Sequence, residues 1–421
     1  MKRNVKMKRL VTALILMTLM VMTLGITVMA QGTVTGLSQT KAGENSVTIT
    51  WNADLTAAGY RIYVSTDNVK FSRYRSAKTD FDVSADAPVA EITGMTQGSS
   101  SYVRIAPVYQ VAEETYTEGT MSASLEVTTL PGQIPEKGLM QTAADKKTVT
   151  IAWKAAAGAD GYLVYNGDQS KVLADTKSTS VKLSEATGSS NTYYVYPYCS
   201  VGGNIFEGTA VTIDNVRTAP GKPVQVASAG VGNLKWNASR NNQVTVFWNR
   251  NEKDEYECDG FQVEITSLQG KKLATYNVGK YSLNKSFNLS SVKNKGFCVR
   301  VRGYVKLSGK NYYGAWSSKK VVIPQAAMKI KGKTGSTMSI SWTKVAKASK
   351  YEIFVCRDYT AASSVQDDFK KVATVGGSKT TYTIKGLKRN QYTAVYVVPV
   401  VKVGSKKYKA SALWCKYAYI D

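Results

Sequence analysis

The sequence contains no histidine. That absence excludes Ser-His-Asp and Cys-His catalysis, histidine-ligated metal sites and histidine pH switches. Acidic residues are scarce: 30 Asp and Glu stand against 55 Lys and Arg, a formal net charge of +25. Beyond residue 30 no apolar run approaches the ~20 residues of a transmembrane helix. What is present is a chain of 421 residues, long enough for two to four domains. Its 43% hydrophobic and 10% aromatic content can fill packed cores.

Residues 1–30 read as a secretory signal. Lys2, Arg3, Lys6, Lys8 and Arg9 form the basic start, an apolar stretch follows from Leu10 to Val28, and Val28-Met29-Ala30 fits small-residue cleavage. The expected mature chain starts at Gln31. An uncleaved anchor is the alternative reading, because the stretch is nearly long enough to span a bilayer. No cysteine lies near Ala30 to take a lipid, and Lys416–Asp421 carries no wall-sorting or lipid-anchor signal. The expected product is exported, with no covalent tether and no transmembrane span in the mature chain.

One tryptophan recurs inside an alternating apolar run. The runs are Val47–Trp51, Val149–Trp153, Val244–Trp248 and Met338–Trp342, with tryptophans 102, 95 and 94 residues apart. Alternation of this kind is a half-buried strand. A second run follows each: Tyr60–Val64, Tyr162–Tyr165, Phe261–Ile265 and Tyr351–Val355. In the third unit the acidic segment Asn251–Asp259 lengthens the intervening loop. Later in each unit Pro107, Pro197, Gly303 or Pro399 is expected to end a strand, at a bulge or an edge. An aromatic nine residues on (Tyr116, Phe206, Tyr312, Tyr408) is expected to begin the returning strand of a hairpin. Leu130–Pro135 and Ala219–Pro223 read as short, stiff linkers, with Val322–Ala326 as a less marked third. No stretch after the signal has a helical period. Units of about 100 residues with about seven short strands describe an immunoglobulin-like sandwich.

The tryptophan on the second strand, the Tyr-x-Ile/Val run on the third and an aromatic opening the sixth resemble fibronectin type III domains. The sixth-strand aromatics would be Tyr102, Tyr193, Phe297 and Tyr392. The resemblance covers residues 31–421. It is closest in the fourth unit, where Tyr382–Leu387 and Tyr392 match the family's corner, and looser in the second, where Ser184–Asn191 scrambles it. It implies an all-β protein of four tandem immunoglobulin-like (fibronectin type III) β-sandwich domains at 31–130, 131–220, 221–325 and 326–421, following the signal peptide. Such domains act as spacers or binding modules, and the fold brings no activity with it.

Trp51, Trp153, Trp248 and Trp342 are expected in the cores rather than on a sugar-binding surface, because large inward aromatics fill sandwich interiors. Trp236, Trp316 and Trp414 fall outside the pattern. Trp316 and Trp414, near Tyr313 and Tyr417, are expected to pack on edge strands, the other reading being an exposed aromatic patch.

Charge divides sharply along the chain. Residues 31–130 carry 7 basic and 11 acidic side chains, 131–220 carry 8 and 8, 221–325 carry 17 and 6, and 326–421 carry 18 and 5. Lys306, Lys310, Lys319 and Lys320 flank the last hairpin of the third unit. Lys402, Lys406, Lys407 and Lys409 do so in the fourth. Lys329, Lys331 and Lys333 recur at period two and are expected to share one face. Lysines on edge strands also block aggregation, but that role does not account for the asymmetry between the halves. A polyanion partner does. The eight hairpin lysines are therefore the candidate polyanion-binding residues. Outside a cell the candidates are anionic cell-wall polymer, acidic polysaccharide, anionic lipid headgroups or extracellular DNA.

The five cysteines are Cys199, Cys258, Cys298, Cys356 and Cys415. The family's strand order puts Cys258 and Cys298 about 20 Å out of register at ~3.3 Å per residue, beyond the ~7 Å Cα separation that a bridge tolerates. It also puts Cys356 and Cys415 on strands with a third between them. Free thiols are expected, and the spacings match no zinc motif. No cofactor or metal site is expected.

A non-catalytic secreted or cell-surface binding protein, whose basic half meets an anionic surface polymer or another surface protein, fits these features best. A self-associating structural spacer is the alternative. A carboxylate-pair glycosidase or Ser-Lys hydrolase needs no histidine, but no insertion is available to build a pocket, and no phosphate loop or nucleophile elbow appears. An accessory carbohydrate-binding or hydrolytic role ranks behind the others. Specific nucleic-acid recognition lacks a motif, since charge alone is not one.

Overall fold

The computed structural model describes residues 32–75, 79–223, 235–236, 243–248, 258–288, 290–363, 367–410 and 414–421. The signal segment 1–30, most of the loop Asn251–Asp259 and the side chain of Trp236 lie outside that description.

Alternating side chains decide the strands. In Ser46–Thr50 the two buried residues are Val47 and Ile49, with serine and threonines between them. Thr148–Ala152 and Thr337–Trp342 show the same alternation. Each such run is the middle strand of a three-stranded antiparallel sheet: Ser38–Ala42, Ser46–Thr50 and Val89–Thr93 in the first repeat, and the corresponding strands in the others. A second sheet is built on the run after the tryptophan and a longer neighbour. The pairs are Gly59–Ser65 with Ser100–Ala112, Gly161–Asn166 with Ser190–Val201, Gly260–Ser267 with Phe297–Leu307, and Ala348–Cys356 with Gln391–Val403. The chain then returns in two pieces, for example Lys406–Lys409 and Lys416–Ile420, both paired to the long strand. This strand order is that of a fibronectin type III sandwich. In the first, third and fourth repeats, inward residues of both sheets share one core cluster. Among the described residues, helix is confined to the single 3-10 turns Glu136–Gly138 and Ser290–Val292.

All four core tryptophans are buried. Each meets the aromatic that leads the next strand, with ring centroids 5.1 Å apart for Trp51–Tyr60, 5.2 Å for Trp153–Tyr162, 5.7 Å for Trp248–Phe261 and 5.4 Å for Trp342–Tyr351. The three tyrosines add a function that phenylalanine lacks. Their hydroxyls accept the backbone N–H of Asp54, Ala156 and Val345, each six residues upstream, at 2.7, 3.0 and 2.8 Å. The buried phenol thus closes the loop between the two sheets.

Two sequence expectations are corrected. First, the prolines do not end strands. Pro107 and Pro399 sit within the long strands, opposite Tyr60 and Tyr351, and Gly303 sits opposite Phe261. The returning strand is interrupted beside this position, so a missing N–H orphans no ladder partner. The carbonyls of Pro107, Pro197 and Gly303 still accept the N–H of Gly119, Gly208 and Gly314. Second, Lys329, Lys331 and Lys333 do not share a face. A bulge between Ile330 and Gly332 shifts the register, leaving Lys329 opposite Ser341 but Lys333 opposite the buried Met338. The sixth-strand aromatics divide between the two faces. Tyr193 and Phe297 point inward and are buried, whereas Tyr392 is on the outer face and 48% exposed, and Tyr102 is half-buried. In the second repeat the Tyr193 hydroxyl donates to the Glu185 carboxylate.

The register separates the cysteines. Thr266 pairs with Cys298 and Gly260 with Tyr304, so Cys258 and Cys298 are eight positions apart along the strands, roughly 26 Å at ~3.3 Å per residue. Cys356 faces Ala394, which faces Tyr417, so Cys356 and Cys415 are two strands apart. All five are free thiols, four of them buried and Cys415 partly exposed. Burial pushes the Cys199 thiol up to about 11 and raises those of Cys298 and Cys356. Thiolate is the reactive form. One thiol should therefore react rapidly with a disulfide reagent in the native protein at pH 7.5, and five after denaturation without reductant. Fewer than five on unfolding, or protection of the native Cys415, would contradict this arrangement.

The linkers are tightly packed on their neighbours. Gly98 and Gly158 both have positive φ and meet backbone to backbone, so that a Cβ on Gly158 would collide with the Gly98 carbonyl. Gly132 N–H bonds to the Ala157 carbonyl at 2.8 Å. Further along, Arg217 grips Asp259 with two parallel bonds of 2.9 Å. Burial pulls the Asp259 carboxyl upward, but Arg217 and the Lys306 N–H together hold it below its ordinary value.

Candidate functional site

Residues directly opposite in an antiparallel pair share a face, which places most of the candidate lysines. In the third repeat Lys306 is opposite Asn311, on the outer face of the larger sheet that also carries Arg300, Arg302 and Tyr313. Lys310, opposite Leu307, turns to the other side and stands 5.0 Å from the Tyr312 ring centroid. Lys320 pairs with the inward Val299, and Lys319 is exposed just before that strand. In the fourth repeat Lys402 is opposite Lys407, and Lys409 is opposite Val400, all three on the outer face. Lys406, opposite Val403, is on the other side. Within each hairpin the lysines thus divide between two faces.

Lys409 is already engaged. Its Nζ lies 2.7 Å from Glu352, whose other oxygen takes Lys350 Nζ at 3.0 Å. Burial raises the Glu352 carboxyl, but the two ammonium groups outweigh it and hold the group below its ordinary value. Lys402 and Lys407, by contrast, form a like-charged cross-strand pair, an arrangement that costs stability unless an anion relieves it.

The sequence reading missed two other groups on the outer faces. In the third repeat Arg300, Trp316, Arg302 and Tyr313 alternate in a stack. Trp316 has the Arg300 and Arg302 guanidinium carbons at 4.3 and 4.2 Å from its rings, and Arg302 lies 3.8 Å from the Tyr313 centroid. Arg300 bonds to Glu264 at 2.6 Å, and Arg302 bonds to the neutral Gln262 at 2.9 and 2.7 Å. Loss of water lowers the Arg302 pKa. This ladder settles the two readings of Trp316 in favour of packing, with arginines as partners. The signal was available: Arg300 and Arg302 alternate on one strand, and Trp316 follows on the returning one.

In the fourth repeat an unbroken series of ring contacts crosses the outer face. Phe354 stacks on Tyr396, Tyr396 meets Phe369, and Phe369 meets Tyr359. Tyr359 stacks on Tyr417 at 5.2 Å, and Tyr392 meets Tyr417 and Tyr419 at 5.9 and 5.2 Å. The first members are packed in one cluster, with Phe369 and Tyr396 buried and Phe354 and Tyr359 against them. Tyr392, Tyr417 and Tyr419 are 48%, 57% and 39% exposed. Trp414 is 51% exposed, its backbone held by Gln325 through two bonds of 2.7 Å. Apart from Tyr281 of the third repeat, 80% exposed, the exposed large aromatics among the described residues are in the fourth.

Among the described residues, no group of three or more Cys, Asp or Glu is placed to hold a metal ion, and no helix is long and apolar enough to cross a membrane. No known family profile matches the sequence. No curated protein matches it either. Solved structures similar to the chain include the chicken CNTN1 FN1-FN3 domains, at 14% identity, covering 69% of this chain and 99% of that one with a TM-score of 0.22. A two-domain fibronectin type III segment of chicken tenascin is similar at 14% identity, covering 43% of this chain and 98% of that one with a TM-score of 0.23.

Proposed function

Starting from a chain of fibronectin type III-like sandwiches, we propose an exported, non-catalytic protein of four tandem domains, at 31–130, 131–220, 221–325 and 326–421, whose C-terminal half docks on an anionic polymer at the cell surface. The observation that carries this reading is the charge division: a net +24 over residues 221–421 against −4 over residues 31–220. Outer-face cations with no acidic partner among the described residues, Lys306, Lys402 and Lys407, are where contact begins. Candidates for the polymer are cell-wall polyanion and acidic polysaccharide, and a protein partner would need a comparably acidic surface. The packed linkers favour a second role as a spacer, which is compatible with the first.

Polyanion contact releases counterions, so affinity should fall with salt. For a polymer as densely charged as DNA, six contacts would cost on the order of 10³-fold between 50 and 200 mM. Reversing Lys306, Lys402 and Lys407 to Glu in the full chain should weaken polyphosphate binding by at least about tenfold and flatten the salt dependence by about one unit of slope per lost contact. Unchanged affinity or salt-independent binding would leave the lysines as guards of solubility and the spacer role as the main one.

A further inference from the structure

The exposed tyrosines of the fourth repeat are not needed by the fold. No other repeat pairs two tyrosines at the matching outer positions: the first keeps Tyr102 but sets it opposite Glu126, the second has Thr192 bonded to Asp214, and the third has Cys298 opposite Val321. In the fourth, Tyr392 is opposite Tyr419, and the small Ala394 opposite Tyr417 leaves room above the sheet. Three half-exposed aromatics in contact on one face form the kind of apolar patch that marks an interaction site.

These rings are also fixed. Tyr417 is stacked on Tyr359 at an interplanar angle of 24° and abutted by Tyr392. Tyr359 N–H donates to the Tyr392 carbonyl at 2.9 Å, tying the segment that carries Tyr359 to the strand. A tyrosine held in this way presents area to a ligand at little cost in conformational entropy.

We propose that Tyr392, Tyr417 and Tyr419 form a saccharide-stacking site, and that the polymer met by the basic half is an acidic polysaccharide. The inference rests on the polyanion reading above and adds the chemistry of the ligand. Three observations select a sugar. The rings lie on an open sheet face, which suits an extended polymer. Their hydroxyls donate to no protein group among the described residues, so the rim of the patch is free to bond sugar hydroxyls while the ring faces take C–H groups. Tyr392 stands at 78° to Tyr417 and 68° to Tyr419, making a corner instead of a set of parallel shelves. Successive nucleobases need ring faces on which to stack flat; a pyranose, with C–H bonds on its faces and hydroxyls round its edge, fits a corner.

Charge selects the acid. Lys388 and Arg389 immediately precede the strand bearing Tyr392, whereas Lys416, opposite the inward Val395, turns to the other face. Arg357 is held nearby, its carbonyl accepting Gln391 Nε2 at 2.9 Å. Of the repeat's five acids, Asp421 is paired with Lys333 at 2.9 Å and Glu352 with Lys350 and Lys409, while Asp358, Asp367 and Asp368 stand in a repeat that carries 18 basic side chains. Carboxylates on the sugar would meet this surplus.

The test compares three probes on the full chain: polygalacturonate, which has both sugar rings and charge; polyphosphate, which has charge alone; and poly(dT), which has charge and bases. Tyr392→Ala with Tyr417→Ala should weaken polygalacturonate binding at least about tenfold, the scale of a lost aromatic anchor, and leave polyphosphate binding within about twofold. Tyr417→Phe, which keeps the ring, should retain most of the affinity. Tyr419→Lys separates stacking from charge: it adds a cation, so electrostatics alone would tighten binding, whereas loss of a stacking ring weakens it for polygalacturonate only. Equal losses on polyphosphate, no loss on polygalacturonate, or a larger loss on poly(dT) would each overturn the saccharide site while leaving the polyanion reading in place. Failure of the unaltered chain to bind either polygalacturonate or polyphosphate would overturn the polyanion reading, and the saccharide site with it.

Discussion

Trp342→Ala will destabilise the fourth sandwich by about 3–5 kcal/mol, the cost of deleting a large buried aromatic and leaving a cavity. That is at least a fifth, and up to the whole, of the ~5–15 kcal/mol of a typical domain. For a unit of this size it corresponds to a fall in melting temperature of on the order of 15 °C or more. The indole packs against Tyr351 and belongs to a cluster with Met338, Ile340, Val345, Ile353, Val395 and Val397, drawn from both sheets. Its removal therefore loosens the contact between the sheets. Trp342→Phe should cost far less, about 1–2 kcal/mol. The indole N–H has no partner among the described residues, so phenylalanine removes a buried donor along with some volume. The same orphaned N–H recurs at Trp51, Trp153 and Trp248, and the ordering Ala much worse than Phe should hold at all four. Calorimetry on single variants decides it. Equal losses for Phe and Ala would mean that the N–H, and not the ring, is what the core needs.

The core was legible because a strand has a period of two. Val47, Ile49 and Trp51 alternate with polar residues, and the third-strand run follows at a near-constant distance. The same period also decides which sixth-strand aromatics are inward. Tyr193 and Phe297 lie an even number of residues before Pro197 and Gly303, the core-facing markers of their strands. Tyr102 and Tyr392 lie an odd number before Pro107 and Pro399. Aligning aromatics by type, without counting parity, hides the outward turn of Tyr392 that builds the tyrosine corner.

Two smaller signals were present in the sequence and carry real bonds. Leu37-Ser-Gln-Thr-Lys-Ala42 and Leu139-Met-Gln-Thr-Ala-Ala144 share a glutamine. Gln39 exchanges two bonds with the Thr128 backbone, and Gln141 does so with Arg217. Each amide replaces a stretch of strand pairing next to a bulge. Gly119-x-x-Ser122 and Gly314-x-x-Ser317 likewise place a serine hydroxyl that accepts the N–H of Ile105 or Val301. The bulge that separates Lys329 from Lys333 could not be read in this way. Lys-x-Lys-x-Lys is an unbroken alternation, and only pairing with the neighbouring strand reveals the extra residue. Nor could the attachment of Lys409 to Glu352, which depends on two strands meeting side by side across a third.

Glu352→Gln should have effects of opposite sign on stability and on binding. The carboxylate is on the central strand of the larger sheet and is only 4% exposed, while Lys350 and Lys409 are 37% and 58% exposed. Its attraction to them outweighs its burial and holds its pKa below the ordinary value. A depressed carboxyl stabilises the fold above its unfolded pKa of about 4.3, and that contribution is lost as the pH falls through the lower, folded value. Wild-type protein should thus lose an increment of stability below about pH 4 that the Gln variant lacks. At neutral pH the variant should be less stable by about 1–2 kcal/mol, a figure reduced from that of a fully buried pair because water screens both ammonium groups. Those groups are then released beside Lys402 and Lys407. Two further cations on the outer face should tighten polyphosphate binding and steepen its salt dependence by up to about two units of slope. A variant that is destabilised yet binds as before would show that the polymer does not reach the end of the sheet where Lys409 stands, and would move the contact toward Lys306 and the third repeat.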